Sequence, residues 1–143
     1  MTDAELIEQA RAAALRAYAP YSHFHVGCAI ESVDGEVVTG ANMENACYRL
    51  GVCAEISALT AAQQAFGLAK IARVAVSGGR FVEGRFTGQD ICRPCGGCRQ
   101  AIFEAHCLAG RDIVVVSSCA EGEATAVESI KDLLPDAFGP ANL

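Results

Sequence analysis

Two short cysteine motifs, Cys53-Ala54-Glu55 and Pro94-Cys95-Gly96-Gly97-Cys98, constrain this chain more than any other feature. Together they offer three thiols of the kind zinc binds, and one carboxylate two residues from a ligand. A metal with three protein ligands keeps its fourth position for water, which marks a catalytic zinc; a structural site closes the shell with another side chain. Glu55 stands where a base for that water is needed. A C-x-x-C pair alone reads equally as a redox dithiol, half of a structural zinc site or two packed cysteines. A redox pair needs no distant Cys-x-Glu, and a structural site wants a second C-x-x-C or a histidine pair, neither of which Cys53 and Glu55 supply. Cys28, Cys47, Cys92, Cys107 and Cys119 read as structural, with Cys92 alone close enough to the motif to be a candidate ligand.

A length of 143 residues suits one domain, residues 1–143, built around one core that the functional site must share. Eight cysteines without a charged and apolar leader point to a reducing cytoplasm rather than to a disulfide framework. No apolar run approaches membrane-spanning length, so no membrane partner is expected. A net charge of −6 opposes binding to a phosphate backbone; a small neutral substrate fits better than nucleic acid.

Thr2-Asp3-Ala4-Glu5 has capping-box spacing, and Leu6, Ala10, Ala13 and Ala17 follow at helical intervals, predicting a helix that ends near Tyr18 before Pro20. His23–Ser32 and Glu36–Gly40 read as strands joined around Asp34-Gly35, a favoured hairpin turn. Gly51–Phe66 is helical beyond its first residues, Ile71–Ser77 and Asp112–Ser118 are buried-strand runs, and Pro94–Ala109 is a helix with Pro94 at its first position. A last helix is expected over Thr125–Leu134, stopped by Pro135 and followed by a tail over Asp136–Leu143. This order suggests an α/β fold with a mixed sheet of about five strands and helices on both faces. Both cysteine motifs then lie at helix starts, where positive helix ends favour thiolates.

His23 and His25 flank Phe24 in a strand and so face away from it; they read as polar strand positions rather than metal ligands, and His106, inside a helix, is a weaker ligand candidate still. Phe24 reads first as core. Asn42 and Glu44, two apart in the loop after the hairpin, form either an ordinary polar turn or a pair suited to holding a diol.

Beyond these local readings, the chain resembles the small tetrameric cytidine deaminases over nearly its whole length. The likeness is carried by Tyr18-Ala-Pro-Tyr-Ser22, Phe24-His-Val-Gly27, Gly40-Ala-Asn-Met-Glu-Asn-Ala46, Tyr48, Cys53-Ala-Glu55, Pro94-Cys-Gly-Gly-Cys-Arg-Gln100 and Leu133-Leu-Pro-Asp-Ala-Phe-Gly-Pro140. The resemblance implies a three-layer α/β/α sandwich and a homotetramer with active sites shared between subunits. It also implies hydrolysis of cytidine and deoxycytidine to the uridine nucleosides and ammonia. Cys53, Cys95 and Cys98 would hold Zn2+, with Glu55 as proton shuttle. Asn42 and Glu44 would hold the ribose, Phe24 would pack on the nucleoside, and Ala46, Tyr48, Ala54 and Phe138 complete the implied substrate contacts, with Tyr48 and Phe138 reaching neighbouring subunits. Three positions depart from the family pattern. Ile56 stands where an arginine commonly follows the glutamate, Arg93 precedes the proline, and Gly79–Asp90 is a longer connection. The missing arginine predicts compensation at the ligand sulfurs by helix N-termini together with Arg49, Arg93 or Arg99. A deaminase of a modified cytidine or nucleoside antibiotic is the rival on the same fold, and an inactive zinc-stabilised binding module the rival outside enzymes.

Overall fold

A computed structural model describes all residues, Met1–Leu143. The first helix, α1 (Asp3–Ala14), begins at an N-cap Thr2 whose hydroxyl accepts from the Glu5 amide at 3.2 Å, while the Glu5 carboxylate accepts from the Thr2 amide at 2.7 Å. It stops before the predicted Tyr18, because Tyr18 donates its amide to Asn42 and joins the loop that leaves the sheet. Strands β1 (Phe24–Ser32) and β2 (Val37–Ala41) form the expected antiparallel hairpin, with Gly35 at φ 87° and the Ser32 hydroxyl accepting from the Asp34 and Glu36 amides. Helix α2 (Ala54–Ala65) leads to the long strand β3 (Ile71–Val82), which folds back as β4 (Arg85–Thr87); α3 (Gly96–Ala109) then leads to β5 (Val114–Cys119), β6 (Thr125–Ser129) and the short α4 (Ile130–Leu133).

The sheet order is β2-β1-β3-β5-β6 with β4 paired to β3, making six strands where about five were expected. Only β3 and β5 run parallel. The extra strand arises within Gly79–Asp90, where Arg80-Phe81-Val82 pairs with Arg85-Phe86-Thr87 across Glu83 and Gly84, both at positive φ. The predicted last helix is the larger correction. Thr125–Ser129 has the alternating exposure of an edge strand and pairs with β5, leaving only Ile130–Leu133 helical. A pattern short enough to suit either period is decided by the open edge of β5, which offers backbone partners.

Alternation along the strands divides the core between two helical layers. Cys28, Ile30, Val74, Val76 and Val115 face α2, α3 and α4 in a cluster of 15 buried residues. Ala29, Ala75 and Val116 face Leu6, Ile7 and Ala10 of α1. Each fully buried Val, Leu or Ile contributes about 1.5–3 kcal/mol, so the larger cluster also anchors the two helices that carry the cysteine motifs. Helix α2 sits close on β2 because Gly40 has no side chain; a Cβ there would lie 2.5 Å from the Ala58 nitrogen.

Candidate active site

The cysteine motifs occupy equivalent positions on their helices. Cys53 is the N-cap of α2 and Cys95 the N-cap of α3, both extended and neither making a side-chain capping bond. Pro94 therefore precedes the cap rather than opening the helix as predicted; its buried ring abuts the cap instead. Cys98 lies in the first turn of α3, 1 % exposed. The three sulfurs all lie within 4.8 Å of one another. Tetrahedral thiolates at a zinc–sulfur distance of about 2.3 Å stand about 3.8 Å apart, so small side-chain rotations close this triad on one metal ion. The donor set fits zinc.

Charge at the triad is arranged by the helix ends and by burial. The amides of Cys98 and Gly97 point at the Cys95 sulfur and hold its pKa below the usual thiol value. Burial pushes Cys53 and Cys98 up, and the neighbouring Glu55 adds to the rise at both. A bound cation reverses that penalty, because coordination deprotonates a thiol. Glu55, in the first turn of α2, is 4 % exposed, and burial raises its pKa; its hydrogen bond with Cys98 opposes the rise.

Phe24, Val26, Asn42, Cys53, Ala54, Glu55, Cys92, Arg93 and Cys95 line one cavity of ≈ 200 Å³. The structure thus brings Phe24, Asn42 and Ala54 to the thiols and Glu55, and the core reading of Phe24 gives way: its ring is 38 % exposed. Asn42 is held rigidly, accepting from the Val26 amide at 2.8 Å and donating to the Phe24 carbonyl at 2.9 Å. Glu44 accepts from the Tyr21 and Ser22 amides at 2.9 and 3.1 Å, and contacts with Ser22, its side chain first, lower its pKa. Glu44, Ala46, Tyr48 and Phe138 are not in the cavity wall of this subunit. Ala46 is exposed, Tyr48 is 81 % exposed with its ring edge-on to Tyr21, and Phe138 is 58 % exposed on a tail tied to α3 by a bond from Gln100 to its carbonyl.

Cys92 and Arg93 belong to the cavity wall, yet Cys92 is outside the sulfur triad, which removes it as a ligand. Burial pushes its thiol up to about 11. Its signal in sequence was proximity to Pro94, which cannot distinguish a wall from a ligand. The histidines stand apart from the triad: His25 stacks on Phe81 at 5.0 Å and meets the Ala14 carbonyl, His23 lies before β1 at φ 57°, and His106 meets the Arg111 carbonyl. Of the compensation expected for Ile56, the helix start acts on the Cys95 sulfur, and no arginine hydrogen-bonds a ligand sulfur within the subunit. Ile56 packs on the core, Arg93 pairs with Glu128, and Arg99 donates to the Pro94 and Leu133 carbonyls, so none of Arg49, Arg93 and Arg99 donates to a ligand sulfur. Arg99 instead braces the backbone just ahead of Cys95.

Comparison with known proteins converges on one group. The model of the cytidine and deoxycytidylate deaminase zinc-binding region matches residues 1–117. A cytidine deaminase of Mycobacterium tuberculosis is 36% identical over 127 residues, covering 89% of this chain and 82% of that protein. One from Halalkalibacterium halodurans is 38% identical over 136 residues, covering 93% and 91%. The crystal structure of cytidine deaminase from Burkholderia pseudomallei superposes with a TM-score of 0.81 at 43% identity, over 96% of this chain and 100% of that one.

Proposed function

This chain belongs to the cytidine and deoxycytidylate deaminase family, and from that premise we propose that residues 1–143 act as one domain that hydrolyses cytidine and deoxycytidine to uridine and deoxyuridine, releasing ammonia in pyrimidine salvage. The observation that carries the reading is the meeting, at two helix starts, of three sulfurs within 4.8 Å beside a buried carboxyl of raised pKa. Cys53, Cys95 and Cys98 are the residues that would hold zinc, which when bound supplies a Lewis acid and an acidified water for attack at C4.

Glu55 is the catalytic residue of this reading. Attack at C4 demands that the water lose a proton, that ring N3 gain one, and that the C4–N4 bond break with the nitrogen leaving as ammonia. Glu55 takes the first proton and delivers it to N3, then takes the second from the hydroxyl that attack has placed on C4 and gives it to the amine as the C4–N4 bond breaks and the C4 carbonyl forms. A carboxyl whose pKa burial has raised is a stronger base than an ordinary one, and a pKa moved toward the working pH suits a group that must both take and give a proton; such work contributes roughly 10² to 10⁴ in rate. Asn42 and Glu44 hold the ribose, their geometry set beforehand by the backbone bonds they already make. Phe24 packs against the nucleoside, with Ala46, Tyr48 and Ala54 as further contacts.

Tyr48 and Phe138, large side chains left exposed and outside this subunit's cavity wall, support a homotetramer in which Phe138 of another copy completes each site. No helix is long and apolar enough to cross a membrane. All eight cysteines are free, which supports a reducing, cytoplasmic setting.

The test is ammonia release from cytidine and deoxycytidine alongside zinc analysis. About one zinc per chain with turnover of both nucleosides is expected; zinc without turnover overturns the substrate assignment. Light scattering with Phe138→Ala kinetics tests the shared site, and an unchanged KM in an intact oligomer removes Phe138. A second reading, a cytidine substituted at its exocyclic nitrogen, is favoured by an adjoining cavity of ≈ 410 Å³ that shares Phe24, Cys92 and Arg93 with the first. Methylamine release from N4-methylcytidine would establish it.

A further inference from the structure

Gly78 lies in β3, opposite Val26 of β1, and lines the larger of the two adjoining cavities. An added Cβ at this position would lie 2.5 Å from the Cys92 sulfur, 2.8 Å from the Cys92 Cβ and 3.3 Å from Cε1 of Phe24. Cys92 and Phe24 line both cavities. The bare Cα of Gly78 is therefore the seat on which a thiol and a ring edge meet, and these two groups form the partition between the smaller cavity and the larger. Rotating the thiol does not relieve a side chain here, because the Cys92 Cβ is itself too close. The Cys92 backbone is pinned by its amide bond to the Ser118 carbonyl at 3.0 Å. Phe24 is held as well, its amide bonded to the Ser22 hydroxyl and its carbonyl to Asn42.

Gly79, the next residue, lines the same larger cavity, yet its missing side chain makes the opposite case. Its missing Cβ points to the other face of the strand, where it would meet the Thr87 carbonyl at 2.4 Å and the Ala120 Cβ at 2.6 Å. Two adjacent glycines thus permit two separate close approaches: Gly79 lets the β3–β4 hairpin close, and Gly78 lets Phe24 and Cys92 settle. Neither has positive φ, so alanine is excluded by space alone.

We propose that Gly78 is a positioning residue for nucleoside binding, acting through the Phe24–Cys92 partition by setting how far the Phe24 ring stands from the base. The proposal rests on the cytidine reading above. Overpacking of this kind distorts side chains and backbone together, and the shift falls on a group that contacts substrate, not on Glu55 or the sulfur triad.

The experiment compares Gly78→Ala, Gly79→Ala and Gly78→Ala/Cys92→Gly with the parent protein, reading KM and kcat for cytidine, uridine binding by calorimetry, zinc content and Tm. Gly78→Ala is expected to raise KM and the uridine Kd about tenfold or more, with kcat within about threefold of the parent and zinc retained. Removing the Cys92 side chain in that background should restore most of the binding. Gly79→Ala should lower Tm without moving the Kd. A folded, zinc-loaded Gly78→Ala protein with parental Kd overturns the proposal, as does a binding loss that Cys92→Gly leaves untouched. If Gly78→Ala does not fold, the double variant decides: parental uridine binding supports the partition, and weak binding or misfolding overturns it. A parent protein that neither deaminates cytidine nor binds uridine would instead overturn the substrate reading, which separates the two failures.

Discussion

Helix α1 and the paired helices α2 and α3 begin in opposite ways. At α1 the N-cap Thr2 and Glu5 exchange hydrogen bonds, so the helix end is satisfied by its own side chains. At α2 and α3 the caps are Cys53 and Cys95, and neither makes a side-chain capping bond. A cysteine there gives up the stronger oxygen cap, worth about 0.5–2 kcal/mol, and presents its sulfur to a metal, with the amides of the Cys95 helix start and the positive helix end favouring the thiolate. The glutamates repeat the contrast. Glu5 is fully exposed and its pKa is lowered, chiefly by the Thr2 amide, whereas Glu55 is buried and its pKa is raised by that burial. The same residue in the first turn of a helix serves stability in one place and proton transfer in the other, and the surroundings decide which.

Turning a site helix into a stability helix is the strongest way to break this contrast. Cys95→Ser should lose zinc and turnover, while the metal-free protein becomes more stable by about 0.5–1 kcal/mol, since serine is among the best N-caps. Metal analysis and denaturant unfolding of the stripped variants measure both halves, and a Cys95→Ser protein that keeps its zinc would overturn the ligand assignment. Glu55→Gln comes next, with kcat falling roughly 10² to 10⁴ while zinc and nucleoside binding persist. Retention of more than about a tenth of parental kcat would mean that another base does the work.

Smaller effects belong to α1. Thr2→Ala should cost about 1 kcal/mol of stability with kcat and KM unmoved, and chemical unfolding alongside steady-state kinetics will show whether the two regions are as separate as their caps suggest. Glu5→Ala gives the smallest effect and the most specific signature. Because the folded pKa of Glu5 lies below its unfolded value, its contribution is present above the unfolded value and is lost as pH falls through the folded one. The stability gap between parent and Glu5→Ala should therefore be constant near neutrality and shrink at acid pH below the ordinary carboxylate range. A gap that grows on acidification would reverse the assigned sign.

Much of this molecule is readable from neighbours in the chain. Thr2 and Glu5 are three residues apart, Asp34-Gly35 makes its turn locally, and Cys53-Ala-Glu55 with Cys95-Gly-Gly-Cys98 carries both ligand chemistry and helix-start geometry in a few positions. The β3–β4 hairpin is not read from neighbours: Gly79–Asp90 reads as a long connection, although Arg80-Phe-Val and Arg85-Phe-Thr flank the turn at Glu83-Gly84. Nor is Thr125–Ser129, because five residues suit either period and only the open edge of β5 selects a strand.

What the sequence by itself determined is the donor set, its spacing and the family, since these depend on residue type and local order. The tertiary structure alone decided that Glu55 is buried, that Phe24 leaves the core to line a cavity, and that Cys92 is a wall rather than a ligand. Burial, cavity walls and strand edges are made by segments far apart in the chain, such as Gly78 beneath Phe24 and Cys92, and no local pattern records where those segments meet.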